Sequence, residues 1–253
     1  MFGIRFGISP RVSVVHLEGR IGDNLQFVSA RQLLRDAFNQ PNLAAVCLVI
    51  NSPGGCPVNS SLLANYILYL SEKKRVPVLA FVDRVAASGG YILALAAHKI
   101  FVNEYSMVGS IGAVMKTMSF QDLLENLGVK PLVLTAGQKK GMMNPLQSPD
   151  EDALTECQGL LNQAHHNFKT FVNSRRGEKL KQDEIEEIFS GNIFMGSRAV
   201  ELGLADDVYA VMEVKLAEEI NMADFKMVHF ERKVSRLRKI FSRSLEMVAK
   251  LFN

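Results

Sequence analysis

Apolar positions along this chain fall into short dense runs separated by amphipathic stretches, and the two alternate. Positions 12–17 read as a strand. Positions 45–50 are apolar throughout, as is 78–82, the pattern of strands covered on both faces. Between them, Phe27, Leu33, Leu34 and Phe38 fall at helical spacing and predict a helix over 27–39; a second helix is predicted over 58–73. Strand and helix in alternation are the signature of βαβ units around a mainly parallel sheet. Further along, the pattern predicts a helix at 91–97, strands at 99–102 and 111–115, a helix at 120–127, a strand at 131–134 and a loop over 135–148. Pro149 then opens a long helix. Asp150, Glu151 and Asp152 stand in its first turn, where negative charge is favoured, and Gly177 stops it. Shorter helices follow at 182–189 and 196–202, the latter closed by Gly203.

Composition narrows this picture. At 253 residues and 48% hydrophobic content, the chain can bury the core of one large α/β domain. Its net charge of +3 is unevenly spread: from Lys226 onward there are eight Lys/Arg against two Asp/Glu, while the rest is slightly acidic. The division expected is a body over 1–222 and a basic tail over 223–253. A body without basic character argues against nucleic acid as a partner. Cys47, Cys56 and Cys157 are odd in number and lack metal-ligand spacing, so neither a disulfide framework nor a metal site is expected; Cys47 lies in an apolar run and reads as a core residue. No run of 18 apolar residues exists, and positions 1–8 are too short and mixed for a signal peptide.

Two strand–turn–helix units carry tandem glycines, Asn51-Ser52-Pro53-Gly54-Gly55 and Ala86-Ala87-Ser88-Gly89-Gly90. Glycine there permits positive φ and close backbone approach, and a helix start leaves N–H donors unpaired. Such donors suit a phosphate or the oxyanion of acyl transfer. The first turn lacks the Lys-Ser/Thr ending of a phosphate loop, and the second lacks G-x-G-x-x-G spacing. Ser88 tips the balance toward acyl transfer. A serine on a strand-to-helix turn presents its hydroxyl at the sheet edge, in the manner of a nucleophile elbow though without its G-x-S-x-G sequence. No histidine among His16, His98, His165, His166 and His229 has an evident place beside it.

Taken in order, 51–55, 87–91 (Ala-Ser-Gly-Gly-Tyr), 108–112 (Val-Gly-Ser-Ile-Gly) and 191–206 (GNIFMGSRAVELGLAD) resemble the signal peptide peptidase A / protease IV family over about residues 10–215. That resemblance implies the Clp protease/crotonase-like fold, a spiral of ββα units. It also implies a serine endopeptidase with a Ser–Lys dyad, needing neither cofactor nor metal. By the resemblance Ser88 is the nucleophile. Lys140, in the loop before Pro145, is the general base, with Lys139 as its rival. Ser110 orients the lysine. The oxyanion donors are Gly89 and either Gly54 or Gly55. A lysine base must be neutral, although its ordinary pKa is about 10.4; burial and a nearby cation lower it. The family builds its site from different protomers or internal halves, and this chain has one copy of each motif, so a homo-oligomeric ring is implied. The implied substrates are residual signal peptides or other extended hydrophobic peptides, in a bacterial protein that is cytoplasmic or peripheral to the inner membrane.

Within 231–250, Arg232, Lys233, Arg236, Arg238, Lys239, Arg243 and Lys250 accompany an apolar stripe of Val234, Leu237, Phe241, Val248 and Leu251. This reads as a basic amphipathic C-terminal helix, fitted to an anionic membrane surface or to docking on the body or a neighbouring subunit. Two rivals share the expected fold: a crotonase-like acyl-CoA enzyme, which would need a thioester pocket and usually a carboxylate base, and an inactive membrane-associated scaffold.

Overall fold

The computed structural model describes residues 9–137 and 139–231. Its centre is built by the apolar runs. In chain order the elements are β1 (Arg11–Glu18), α1 (Phe27–Phe38), β2 (Leu43–Ser52), α2 (Pro57–Lys74), β3 (Val78–Ala87), α3 (Gly89–Ala94), β4 (Lys99–Val102), β5 (Met107–Gly109), α4 (Gln121–Asn126) and α5 (Glu151–Arg176). A 3-10 turn (Gln182–Glu184) leads to α6 (Ile185–Ile188), β6 (Ile193–Met195), α7 (Gly196–Glu201), β7 (Asp207–Val208), α8 (Met212–Ile220) and β8 (Lys226–Phe230).

The eight strands form one sheet with the order β6-β5-β3-β2-β1-β8; β4 pairs with β3, and β7 with β4. Every pairing is parallel except β5 with β6. Alternate residues of the central strands serve two cores. Val46, Leu48 and Ile50 of β2, with Ala80 and Val82 of β3, face a core closed by Leu34 and Phe38 of α1, Leu63 and Ile67 of α2, and Phe168 and Val172 of α5. Ala45 and Cys47 face Phe81, Phe101 and Leu216 of α8 on the other side. Each large apolar side chain so buried contributes about 1.5–3 kcal/mol. That two-sided burial explains why these runs carry no polar alternation.

β3 positions the site because it divides. Its first half, Leu79–Val82, pairs with β4. Its second half, Val85–Ala87, pairs with β5 and leads directly into Ser88. On its other side β3 pairs with β2, and the register shifts after Ile50 so that Ser52 stands opposite Ala86. Both glycine turns therefore leave the sheet side by side. α2 begins at once, with Pro57 in its first turn, where a missing N–H costs nothing. α5 begins where the acidic first turn predicts: Asp150 caps it by accepting from the Ala153 N–H at 2.7 Å.

The structure departs from the sequence pattern in one region. Neither 111–115 nor 131–134 forms a strand, and the helix expected over 120–127 narrows to the six residues of α4, none of them buried. The short apolar runs there have no neighbouring strand to pair with, and an unpaired run gains nothing from extended geometry. Elements too short to give a periodic signal were not predicted: β5, β6, β7 and the nine-residue α8. The body also extends beyond residue 222, because β8 lies parallel along β1. From residue 232 onward the basic stripe lies outside the described residues. Among the described residues, no helix is long and apolar enough to cross a membrane.

Candidate active site

Ser88 occupies a backbone conformation that serine rarely adopts, φ 52° and ψ −121°. Such strain persists only where its surroundings over-determine it. Here the Ser88 N–H donates to the Gly109 carbonyl of β5 at 2.8 Å, and the Ser88 carbonyl accepts from Tyr91 and Ile92 of α3 at 2.9 and 3.1 Å. The residue is half-buried, and among the described residues its hydroxyl makes no hydrogen bond. A hydroxyl without a protein partner at the head of this helix is open to a base supplied from elsewhere, which a serine needs before it can attack.

The first glycine turn packs directly against it. Gly54 has φ +96°, and a Cβ placed there would lie 2.8 Å from the Ala87 carbonyl oxygen, the Gly89 nitrogen and the Ser88 Cβ. Only glycine allows this approach. The two first-turn donors are not equivalent. The Gly54 N–H donates to Ser52 Oγ at 3.2 Å, and Ser52 in turn donates to the Gly19 carbonyl at 2.7 Å. Ile21 bridges the turn, donating to the Gly54 carbonyl and accepting from the Cys56 N–H, each at 2.8 Å. That leaves the N–H groups of Gly55 and Gly89 without a protein acceptor among the described residues. Ser52 was not singled out from sequence, although it lies within the quoted motif; its role depends on where Gly19 comes to rest.

The closing motif meets the same end of the sheet. β6 pairs antiparallel with β5, and the Ser110 N–H donates to the Asn192 carbonyl at 2.7 Å. Ser110 is itself at φ 51°, and its hydroxyl makes no hydrogen bond among the described residues. Behind Ser88, Tyr91 is fully buried and donates to the Leu204 carbonyl at 2.8 Å; burial pushes its phenol well up, so it remains a donor. Cys56 caps α2 beside the turn, and the Asn59 amide draws its thiol below the ordinary value.

Among the described residues no hydrogen bond ties the Lys140 side chain to this cluster. Lys140 lies in the exposed loop before α5, its side chain makes no hydrogen bond or ion pair among the described residues, and its N–H donates to the Gly137 carbonyl at 3.0 Å. Its neighbour Lys139 is tied instead to Glu156 on α5. The surrounding arm, 112–149, folds out and back: the Phe120 N–H donates to the Pro145 carbonyl at 2.7 Å, and the Ser148 N–H to the Gln121 side-chain oxygen Oε1 at 2.6 Å. The arm exposes Val114, Met118, Leu127, Leu132 and Leu134, the last two at 84% and 86%. A groove of about 730 Å³ runs between it and α5, lined by Met115, Met118, Met143, Leu154, Cys157 and Leu161 among others. No histidine bonds Ser88: His16 meets His229 at 3.1 Å, and His98 takes the Val78 N–H at 3.0 Å. Among the described residues no cluster of three metal-ligating side chains occurs.

A parallel-rich sheet whose divided central strand delivers a strained serine beside a glycine turn defines a fold of the Clp protease type. The architecture is shared with a ClpP1 variant of Listeria monocytogenes (TM-score 0.51, 13% identity, covering 79% of this chain and 92% of that one). A membrane-bound stomatin-specific protease, the 1510-N S97A mutant, aligns with a TM-score of 0.55 at 14% identity over 89% of this chain and all of its own. Residues 71–223 match the model of peptidase family S49, and the chain belongs to that family. Among curated relatives, one from Brucella melitensis named as the Na(+)/H(+) antiporter NhaA is 36% identical over 79% of this chain, but the match covers 28% of its own length. A relative from Enterococcus faecium named for the signal peptide peptidase SppA is 32% identical over 64% of this chain and 46% of its own. The chain thus spans less than half the length of these two relatives.

Proposed function

We propose that this protein is a serine endopeptidase in which Ser88 attacks the scissile carbonyl and Lys140, supplied by a neighbouring copy, takes its proton. The single observation behind the reading is the free hydroxyl of Ser88, held at positive φ beside two N–H groups, of Gly55 and Gly89, that lack protein acceptors. In this mechanism those donors hold the oxyanion, an interaction whose loss costs on the order of 3 kcal/mol per donor. The acyl-enzyme forms as the C–N bond breaks, the lysine returns its proton to the leaving amine, and water then releases the acyl group.

Lys140 rather than Lys139 is the base in this reading, since Lys139 is engaged by Glu156. The spacing of two contacts along α5 supports supply in trans. The lysine loop is tied near one end, at Glu156, while Arg175 at the other end holds α3, so roughly 29 Å of helix lies between them. Docking of the apolar arm against a second copy would withdraw the Lys140 amine from water, and burial favours the neutral form of an amine. Ser110 orients that amine. The substrates are extended hydrophobic peptides such as residual signal peptides, in keeping with the name of the Enterococcus faecium relative and the exposed apolar arm. The basic 231–250 segment holds the protein on an anionic membrane surface, peripheral to the inner membrane of a bacterium, and sedimentation with anionic but not neutral vesicles tests this.

The activity is tested by hydrolysis of casein and a synthetic signal peptide by wild type, S88A, K140A and K139A. Loss in S88A and K140A with retention in K139A is expected; equal turnover by all four removes the proposal.

A further inference from the structure

The front of the Ser88 turn is held by the groups already described. Its back is held by two side chains that have no part in acyl-transfer chemistry. α3 has only six residues, too few to be stable by itself, and Ser88 at its head is strained. Arg175, one residue from the end of α5, donates from Nε to the Leu95 carbonyl at 2.8 Å and from Nη2 to the Ala97 carbonyl at 3.1 Å. These are carbonyls at the close of α3, which have no partner within the helix itself. Tyr91 is tethered from its ring end to the Leu204 carbonyl. Arg176 secures that tether: it is buried, donates to the Gly203 carbonyl at 2.8 Å and pairs with Asp206 at 2.7 Å, so it fixes the 203–206 turn. The end of α5 thus grips α3 twice, directly through Arg175 and through the 203–206 turn by way of Tyr91.

We propose that Tyr91 and Arg175 are positioning residues for the nucleophile, setting where α3 starts and therefore where the Ser88 oxygen stands relative to the Gly55 and Gly89 donors. The inference rests on Ser88 being the nucleophile. A displacement on the order of 1 Å at a reacting atom can cost up to about 10²-fold in rate, so modest loosening at the far end of so short a helix has a visible effect.

The test compares wild type with Y91F, R175M and R175K as full-length protein. The rate of Ser88 labelling by a fluorophosphonate and the split between kcat and KM on a peptide substrate are read beside thermal melting. Labelling and kcat are expected to fall about fivefold to tenfold in Y91F and in R175M with KM unchanged, and R175K is expected to recover to within about twofold of wild type. Folded variants that label at the wild-type rate overturn the inference, as does a change confined to KM or a loss that merely tracks the unfolded fraction. Should R175M fail to fold, Y91F decides by the same criteria. A wild type that takes no label at Ser88 overturns the nucleophile assignment itself, and this inference falls with it.

Discussion

The turn that carries Ser88 and the arm that carries Lys140 come from the same chain and live in opposite surroundings. Around Ser88, neighbours from β5, α3 and the Gly54 turn fix the backbone so closely that a serine is held at positive φ. Around Lys140, leucines and methionines that would fill a core stand in water. The lesson is about completeness. The Ser88 turn is finished by its own fold, and the arm has the composition of an interior without an interior to occupy. Exposed apolar area of this kind marks a surface that something covers.

The sharpest way to break the comparison is to separate the two halves. S88A and K140A should each lose at least about 10³-fold in peptidase turnover. Mixed together and allowed to exchange subunits, they should regain about a quarter of wild-type activity, because random pairing restores that fraction of sites if serine and lysine come from different copies. No recovery despite proven exchange would place both residues in one chain.

Glycine substitutions contrast the two backbones next. Gly54→Ala forces a Cβ to 2.8 Å from three atoms of the Ser88 turn and should cost about 2–4 kcal/mol in urea unfolding. Gly128→Ala, also at positive φ but with nothing within 4 Å, should cost about 1 kcal/mol. Similar losses at both positions would mean that the arm is as tightly built as the turn.

Charges placed on the arm come third. Leu132→Asp with Leu134→Asp should leave chain stability within about 0.5 kcal/mol, as expected of exposed positions. Light scattering should nonetheless report a smaller particle than wild type. An unchanged mass would remove the arm from the subunit interface.

The smallest effect concerns acid. Burial works against ionisation of Asp206, but the Lys179 ammonium, the Ile100 N–H and Arg176 outweigh it and hold its carboxyl below the ordinary value. A depressed carboxyl stabilises the fold above the unfolded-state pKa, near 3.8, and that stabilisation is lost as pH falls through the lower folded value. The urea midpoint should therefore drop as pH falls below about 4, and D206N should start lower and drop less. Parallel curves for the two proteins would assign the acid response to other groups.

The features that build the Ser88 turn were legible because their signals are local. The tandem glycines, the serine after a buried strand and the acidic start of α5 each act through their immediate neighbours, and a sequence displays neighbours. The strands expected at 111–115 and 131–134 failed for the complementary reason: an apolar run states what a segment could bury, not whether a partner stands beside it. Ser52 and Asn192 lay inside quoted motifs without a legible role and Arg175 gave no signal, since their partners lie 33, 82 and 80 residues away.

By itself, then, the chain determined the βαβ alternation, the two-faced burial of its central strands and the residue types at both turns, because period, propensity and backbone freedom are properties of short stretches. Only the tertiary structure decided that β3 divides between β4 and β5, that the Gly54 N–H is taken while that of Gly55 is left open, and that the Gly54 turn packs against Ser88. Each of these depends on which distant segments come to lie side by side, and that is fixed by the packing of the whole core.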